Sequence, residues 1–288
     1  MLGKSMTSID IDFLKKWEGK QEIKEDDITL FPAQALAAAL NNEHIPQKGD
    51  ALPSFWEWLY FLPTPRGDAT GVDGHPDKGG FLPPVPLPRR MWAAGEVECI
   101  RPLIIGQPAS RVSTIESVEL KSGNSGTLVF VNVRHDISQA GELCITQVQN
   151  IVYREAATEP TVLPPGKSAS ADLDVMHLVK PDPVLLFRYS ALTYNGHRIH
   201  YDRDYAVQEE FYPALVVHGP LLVTLLLELK RQHYDKLHLN SFKFRAVRPT
   251  FDTAAFSVSA KQNGKELSLW SADESGSVCM TLQAILSN

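Results

Sequence analysis

Cysteine is scarce in this chain, with only Cys99, Cys144 and Cys279 among 288 residues. No two of them form a CxxC pair and the count is odd, which argues against a disulfide scaffold or a cysteine-built zinc site. Reduced, buried thiols are the simplest reading. Long apolar runs are missing as well. The opening "MLGKSMTSIDIDFLKKWEG" holds no stretch that would serve as a signal peptide, and its early aspartates disfavour a transit peptide. "LLVTLLLEL" ends in "KRQH" and is too short to span a bilayer. Positive charge is not in excess either. The formal net charge is −6, so no broad basic face is expected for nucleic acid. These absences predict a cytoplasmic protein with neither a nucleic-acid nor a membrane partner.

What is present is the composition of a globular protein, 43% hydrophobic and 22% charged, in a chain long enough for one large domain or two modest ones. In the second half, "HGPLLVTLLLELKRQH" has strong helix propensity and is apolar nearly all round, which predicts a buried helix. "LNSFKFRAVRP", "AAFSVSAKQNGKELSLWSADES" and "SVCMTLQAIL" read as strands, with "QNGK" a hairpin turn. A helix followed by a meander of strands predicts an α+β arrangement, an antiparallel sheet wrapped around one central helix.

The first half repeats part of this plan. "GEVECIRPLIIGQP" ends a strand at Arg101-Pro102 much as "FKFRAVRPTFD" does at Arg248-Pro249. "VSTIESVELKSGNSGTLVFVNVRHD" is a strand, a Gly/Asn turn and a strand, and "GELCIT" matches "GSVCMT". Three landmarks in the same order point to an internal duplication, with chance similarity between two β-rich segments as the alternative. The expected organisation is therefore a first unit over 1–155, a linker over 156–174 within "EPTVLPPGKSASADL", and a second unit over 175–288, two antiparallel sheets each around a central helix. The halves differ in polarity. The first offers "LFPAQALAAALNNEH" and "PSFWEWLYFLPTP", apolar and aromatic, suited to a scaffold or tunnel wall. The segment "PTPRGDATGVDGHPDKGGFLPPVPLP" is rich in Gly and Pro and predicts an irregular loop, of a length often used as a lid. Its aspartates do not fit an EF-hand spacing.

Chemistry concentrates in "YNGHRIHYD", Tyr194 to Asp202. Histidine exchanges protons near neutral pH, so His197 and His200 are candidates for general acid/base work. Asn195 does not titrate, but its amide can orient a water or a carbonyl. Two other readings stay open at this point. His197 and His200 with Asp202 or His218 could ligate a metal, although no HExxH or cysteine ligand accompanies them. Alternatively the histidines only satisfy turn carbonyls. In "YPALVVHGPLL" the pair Gly219-Pro220 stands where the buried helix should begin. First-turn N–H groups lack partners inside the helix, the dipole adds positive charge, and glycine lets a ligand approach. A carbonyl or enolate oxygen would be stabilised there; an ordinary cap beside a buried His218 is the bland alternative.

These residues resemble a known family. "ALTYNGHRIHYD" is similar in layout to the hydratase motif ALSxDxNPxHxD of MaoC-like hotdog enzymes, and "VVHGPLL" resembles their "VHGML" helix start. "FKFRAVRPTFD" is similar to the strand that follows, and "FLPPVPLPRRMWAAGEVE" resembles a segment of the double-hotdog subgroup. That subgroup includes mitochondrial-type 3-hydroxyacyl-thioester dehydratases and bacterial mesaconyl- and itaconyl-CoA hydratases. The resemblance implies a double hotdog and a hydro-lyase without a cofactor or metal. Its catalytic aspartate falls on Asn195 and its catalytic histidine on His200; its Asn-Pro falls on His197 and Arg198. The Asp-to-Asn departure removes one proton carrier unless His197 takes that role. Gly219, His218, Arg90, Trp92 and Arg198 are the implied substrate-binding residues.

The implied reaction is reversible hydration of a 2-enoyl thioester, CoA-linked, with the acyl group in a tunnel between the halves. The N–H of Gly219 would bind the thioester carbonyl, His200 take a proton from water, Asn195 orient that water, and His197 serve the α-carbon. Arg66, Arg89, Arg90 and Arg198 are candidates for holding a second carboxylate, as in mesaconyl- or itaconyl-CoA. Lys243 and Arg245 are candidates for CoA phosphates, or a solvated strand face. Alternatives in other classes are a fatty-acid-synthesis dehydratase, a thioesterase on the same fold, and a non-catalytic acyl-thioester binding module. A monomer and a homodimer are both compatible with a duplicated chain.

Overall fold

The computed structural model describes residues 9–123, 126–160, 163 and 165–288. Part of the expected linker and the turn at Asn124-Ser125 lie outside the described residues. Among these, the first half runs α1 (Ile11–Leu14), β1 (Gln21–Asp27), α2 (Leu30–Ala39), β2 (Arg89–Cys99), β3 (Pro108–Gly123), β4 (Gly126–Gln139) and β5 (Glu142–Arg154). The second half runs β6 (Val175–Val179), α3 (Pro183–Leu192), α4 (Gly219–His233), β7 (His238–Ala246), β8 (Phe256–Asn263), β9 (Glu266–Ala272) and β10 (Val278–Ser287). No described helix is long and apolar enough to cross a membrane.

The helix expected from "HGPLLVTLLLELKRQH" is α4. Pro220 occupies its first turn, and Lys230, Arg231 and His233 its last, where cations suit the negative end of the dipole. From Leu221 to Lys230 every residue except Leu225 is buried, as a helix apolar on all sides requires. It packs against β8, β9 and β10. The "QNGK" segment is the turn between β8 and β9, which pair from Asn263↔Glu266 outward.

All strand pairs are antiparallel, in the order β1-β3-β4-β5-β2-β7-β10-β9-β8-β6. Read inward from each edge, the two halves have the same order, and they meet through β2 and β7. The two sheets expected from the sequence therefore run on as one ten-stranded sheet. The seam pairs Ala94–Glu98 of β2 with Ser241–Arg245 of β7. Gly95 is required there, because a Cβ would come within 2.4 Å of the Phe244 ring and 2.7 Å of the Val148 carbonyl. Helix α2 is shorter than α4, ten residues against fifteen. It packs on α3 and on the turn Trp56–Leu59. The main core takes residues from both halves, from Leu36 and Trp56 to Leu226 and Phe244. A smaller core, including Ile115, Val131 and Tyr153, lies on the first half alone.

Candidate active site

Helix α3 begins on Asp182, whose carboxylate accepts the N–H of Leu185 at 2.9 Å, followed by Pro183 at the first helical position. It stops at Leu192, and Tyr194 adopts φ 48°, a left-handed conformation that costs a non-glycine residue about 1–2 kcal/mol. After that reversal Asn195, His197 and His200 line one cavity of about 1800 Å³, together with Gly219, Trp92 and Arg90. Asn195 accepts the N–H of His197 through its side-chain oxygen at 3.0 Å, an Asx turn.

His200 is buried at the end of a single 3₁₀ turn, Arg198–His200. Its Nδ1 lies 2.7 Å from the carbonyl oxygen of Val216. A carbonyl only accepts, so Nδ1 carries the proton and Nε2 the lone pair. Burial pushes this imidazole down to about 4, which keeps Nε2 unprotonated at neutral pH. The ring stacks on His218, 3.7 Å between centroids. His218 is fully buried, bonds Ser190 Oγ through Nε2 at 2.8 Å, and leaves Nδ1 without a partner. Burial, then the neighbouring imidazoles, hold it well below the ordinary histidine range.

Gly219 is the first residue of α4, so its N–H lies in the turn that has no intrahelical acceptors. A Cβ at this position would sit 3.4 Å from Trp92 Cε3; glycine leaves that space open beside the amide. Trp92 belongs to an aromatic wall, 4.3 Å from the Phe244 ring and 4.8 Å from the Trp58 ring. Glu57, next to Trp58, lines the same cavity. Burial pushes it up to about 7, against the backbone amides of Glu57 and Phe55, which pull it down.

The four arginines proposed for a second carboxylate separate clearly. Arg66 is exposed and pairs with Asp68 at 2.8 Å, Arg89 pairs with Glu210, and Arg198 pairs with Asp202 at 2.7 Å. Arg198 does not line the cavity; its Nη1 donates to the carbonyl of Val72 at 3.0 Å and its backbone N–H to that of Asp73 at 2.9 Å. Arg90 lines the cavity, and among the described residues no carboxylate pairs with it. Its charge acts on His75, His197 and Tyr153. Lys243 pairs with Glu96 at 3.0 Å on the exposed face of the seam, and Arg245 is exposed on the same strand face. Neither lines the cavity.

Asp73 and His75, from the Gly/Pro-rich loop, were not singled out by the sequence and stand beside the motif. His75 Nδ1 lies 2.8 Å from Asp73 Oδ2, and the His75 and His197 rings are 4.1 Å apart. His197 in turn meets His200 edge-on at 5.4 Å. The contact requires two glycines, since a Cβ on Gly74 would fall 1.9 Å from the Gly196 carbonyl and one on Gly196 would fall 2.6 Å from that of Gly74. Burial would raise Asp73, but its hydrogen bond to His75 and the charges of His75 and His197 hold it below the usual carboxylate range. Burial lowers His75 against the pull of Asp73, and lowers His197 with help from the other imidazoles. Asp73, His75 and His197 also place one ligand atom each within 4.8 Å of one another, a set able to hold a cation. Among the described residues His200, His218 and Asp202 do not join this set, and Asp202 is held by Arg198 instead. The only advance signal for this loop was the Asp-x-His spacing in "VDGHP".

The chain is similar to known proteins over most of its length. The family model described as hydroxyacyl-thioester dehydratase type 2 matches residues 55–252. The mesaconyl-C4-CoA hydratase of Chloroflexus aurantiacus is 46% identical over 273 residues, covering 92% of this chain and 95% of that protein. The mitochondrial hydroxyacyl-thioester dehydratase type 2 of Schizosaccharomyces pombe is 27% identical over 281 residues, covering 86% and 91%. The crystal structure of a MaoC-like dehydratase from Phytophthora capsici shares the fold, with a TM-score of 0.68 at 11% identity, covering 97% of this chain and 98% of that one. A hotdog-type sheet, a glycine-started buried helix and an imidazole facing the same cavity accord with these matches, and the chain belongs to the hydroxyacyl-thioester dehydratase type 2 family of hydro-lyases.

Proposed function

We propose that this chain catalyses reversible addition of water to a short enoyl-CoA carrying a second carboxylate, the 2-enoyl thioester mesaconyl-C4-CoA or its isomer itaconyl-CoA, giving a citramalyl-CoA-type 3-hydroxyacyl-CoA. The observation that carries this reading is a buried imidazole with a free Nε2, His200, on the same cavity as the first amide of α4 at Gly219. The thioester carbonyl lodges against the N–H of Gly219. As the water oxygen bonds to the β-carbon, His200 takes its proton and negative charge gathers on the thioester oxygen, where the amide stabilises it. The amide of Asn195 orients the water, and a proton then reaches the α-carbon.

Arg90 supports the dicarboxylyl substrate, since its guanidinium faces the cavity beside His75 and His197 without a protein carboxylate. A carboxylate on the β-carbon would reach a cation close to the reacting atoms. The similarity to the Chloroflexus aurantiacus hydratase points the same way. In this reading the second unit, 175–288, carries the motif, and the first, 1–155, supplies the aromatic wall and the Asp73–His75 loop; the protein works in the cytoplasm, as a monomer or homodimer.

The test compares mesaconyl-C4-CoA with crotonyl-CoA, following enoyl absorbance and free thiol in parallel. Hydration without thiol release is expected, with Arg90→Ala raising KM for the dicarboxylyl substrate and leaving crotonyl-CoA kinetics nearly unchanged. Thiol release would indicate a thioesterase, and equal effects on both substrates would reject Arg90 as the carboxylate holder. Turnover restricted to straight-chain 3-hydroxyacyl thioesters would favour the dehydratase role of the Schizosaccharomyces pombe relative.

A further inference from the structure

We infer that the first half holds a second binding site, a carboxylate pocket built on β3, β4 and β5 around Arg111 and Gln147. The pocket shares the cavity with the hydration site, and none of its residues has a part in the reaction above.

The internal duplication exposes it. Arg101-Pro102 and "GELCIT" correspond to Arg248-Pro249 and "GSVCMT", which sets Val97 and Gln147 level with Phe244 and Leu282. Strand pairing agrees, Val97↔Gln147 in one half and Phe244↔Leu282 in the other. From Leu282 the row runs on to Leu269 and Ala260; from Gln147 it runs to His135 and Ser113. Ala260, Leu269 and Leu282 belong to the core on which α4 packs. In the first half α2 packs on α3 and the turn Trp56–Leu59 instead, and the equivalent face borders the cavity. Ser113, His135 and Gln147 are as buried as a core, 1, 7 and 3% exposed, yet all three are polar. Polar groups at such depth cost stability unless they find partners.

The protein supplies those partners only in part. Ser113 Oγ lies 2.8 Å from His135 Nδ1, and Gln149 Nε2 donates to Gln147 Oε1 at 3.5 Å. Among the described residues, Gln147 Nε2 and Arg111 Nε have no acceptor. Arg111 precedes Ser113 by two positions on β3, so both point to the same face, and both line the cavity. Its Nη2 donates to the Phe61 carbonyl at 3.1 Å, and its guanidinium lies over the Phe61 ring. Burial, then the Arg111 charge, push His135 down to about 3, so the cation of the row is Arg111. Glu22 and Asp26 attract that guanidinium. Glu22, however, sits with Lys24 at 3.6 Å, and Asp26 Oδ2 accepts the N–H of Phe61 at 2.6 Å. A carboxylate offers lone pairs to both idle donors, and charge strengthens its bond to arginine. Val133 and Ile137 line the same wall, which suits a hydrocarbon chain behind the carboxylate.

This pocket is separate from Arg90. Arg90 pairs with Tyr153, about 20 Å along β5 from Gln147, and β2 lies three strand spacings, about 14 Å, from β3. A short acyl group held at Gly219 does not cross that span. The carboxylate has two possible sources, a free medium-chain acid or the far end of a longer acyl thioester, and the two are told apart by experiment.

The test is calorimetric titration of the full chain with hexanoate and adipate, and with two longer saturated acyl-CoAs of equal length, one ending in a carboxylate and one in a methyl group. A free-acid site binds hexanoate or adipate, with Kd raised about 10–100-fold in Arg111→Gln and kept in Arg90→Ala. A chain-end site shows instead as tighter binding of the carboxylate-ended thioester, an advantage that Arg111→Gln removes. Gln147→Leu, which installs the residue of the second half, weakens binding in the same direction and serves if Arg111→Gln folds poorly. Turnover of mesaconyl-C4-CoA stays nearly unchanged in both variants. No heat with either acid, together with equal Kd for the two thioesters, overturns the proposal. Acid binding that both variants leave intact, or that Arg90→Ala abolishes, overturns it as well, and so does adipamide binding as tightly as adipate. A loss of mesaconyl-C4-CoA turnover that parallels the loss of binding would place these residues in the reaction and also overturn it. A wild type that hydrates no enoyl thioester removes the hydratase reading alone, since calorimetry still decides this one.

Discussion

The rings of His200 and His218 lie face to face, 3.7 Å between centroids and 19° from parallel. Two buried imidazoles so close do not both charge, and burial already pushes His200 down to about 4. The base form of His200 is thus present at neutral pH and is lost only as pH falls through about 4. The acid limb of kcat/KM is expected there, well below the ordinary histidine value, in a pH–rate profile. His200→Gln should lower turnover by about 10²–10⁴-fold and leave the circular-dichroism melt close to that of the wild type.

Gly219→Ala separates the amide from the helix it begins. The added methyl would meet Trp92 at 3.4 Å, an ordinary contact that the fold accommodates. Alanine is also the better helix former, by up to about 1 kcal/mol. The melting temperature should therefore hold or rise. Crowding the space beside the amide should still lower kcat by up to about 10²–10³-fold, the loss typical of a missing oxyanion donor. Unchanged kcat would show that the thioester oxygen binds elsewhere.

Glu57 gives a prediction for stability. Burial pushes it from 4.5 up to about 7. Between those values the unfolded chain has released a proton that the folded chain retains, so stability falls as pH rises through this window and levels off above it. Glu57→Gln removes the dependence. Its gain over the wild type should be small near pH 4.5 and reach about 3 kcal/mol above pH 7, read from denaturant titrations at the two pH values.

Much of the architecture was legible because it is local. The periodicity and Pro220 announced α4, the Asn263-Gly264 turn announced the β8–β9 hairpin, and alternation announced β7 and β10. Strand β1 was not legible, since "QEIKEDD" has no apolar face and exists through its pairing with β3. The union of two sheets into one was hidden for a related reason: edge pairing between β2 and β7 joins residues far apart in sequence. In the site, the motif residues and Gly219 were visible as a short string. Asp73 and His75 were not, because a loop rich in Gly and Pro carries no period that says where it lands. Arg198 was read as a ligand holder, although its spacing of four from Asp202 already offered the commoner outcome of a pair along one turn.

The seam at Ala94–Glu98 and Ser241–Arg245 bears on how substrate gets in. Parting the protein like a pair of jaws would break five consecutive backbone rungs and pull Phe244 away from Gly95. Entry and exit therefore do not run through this seam, and the substrate reaches the cavity while the two halves stay paired.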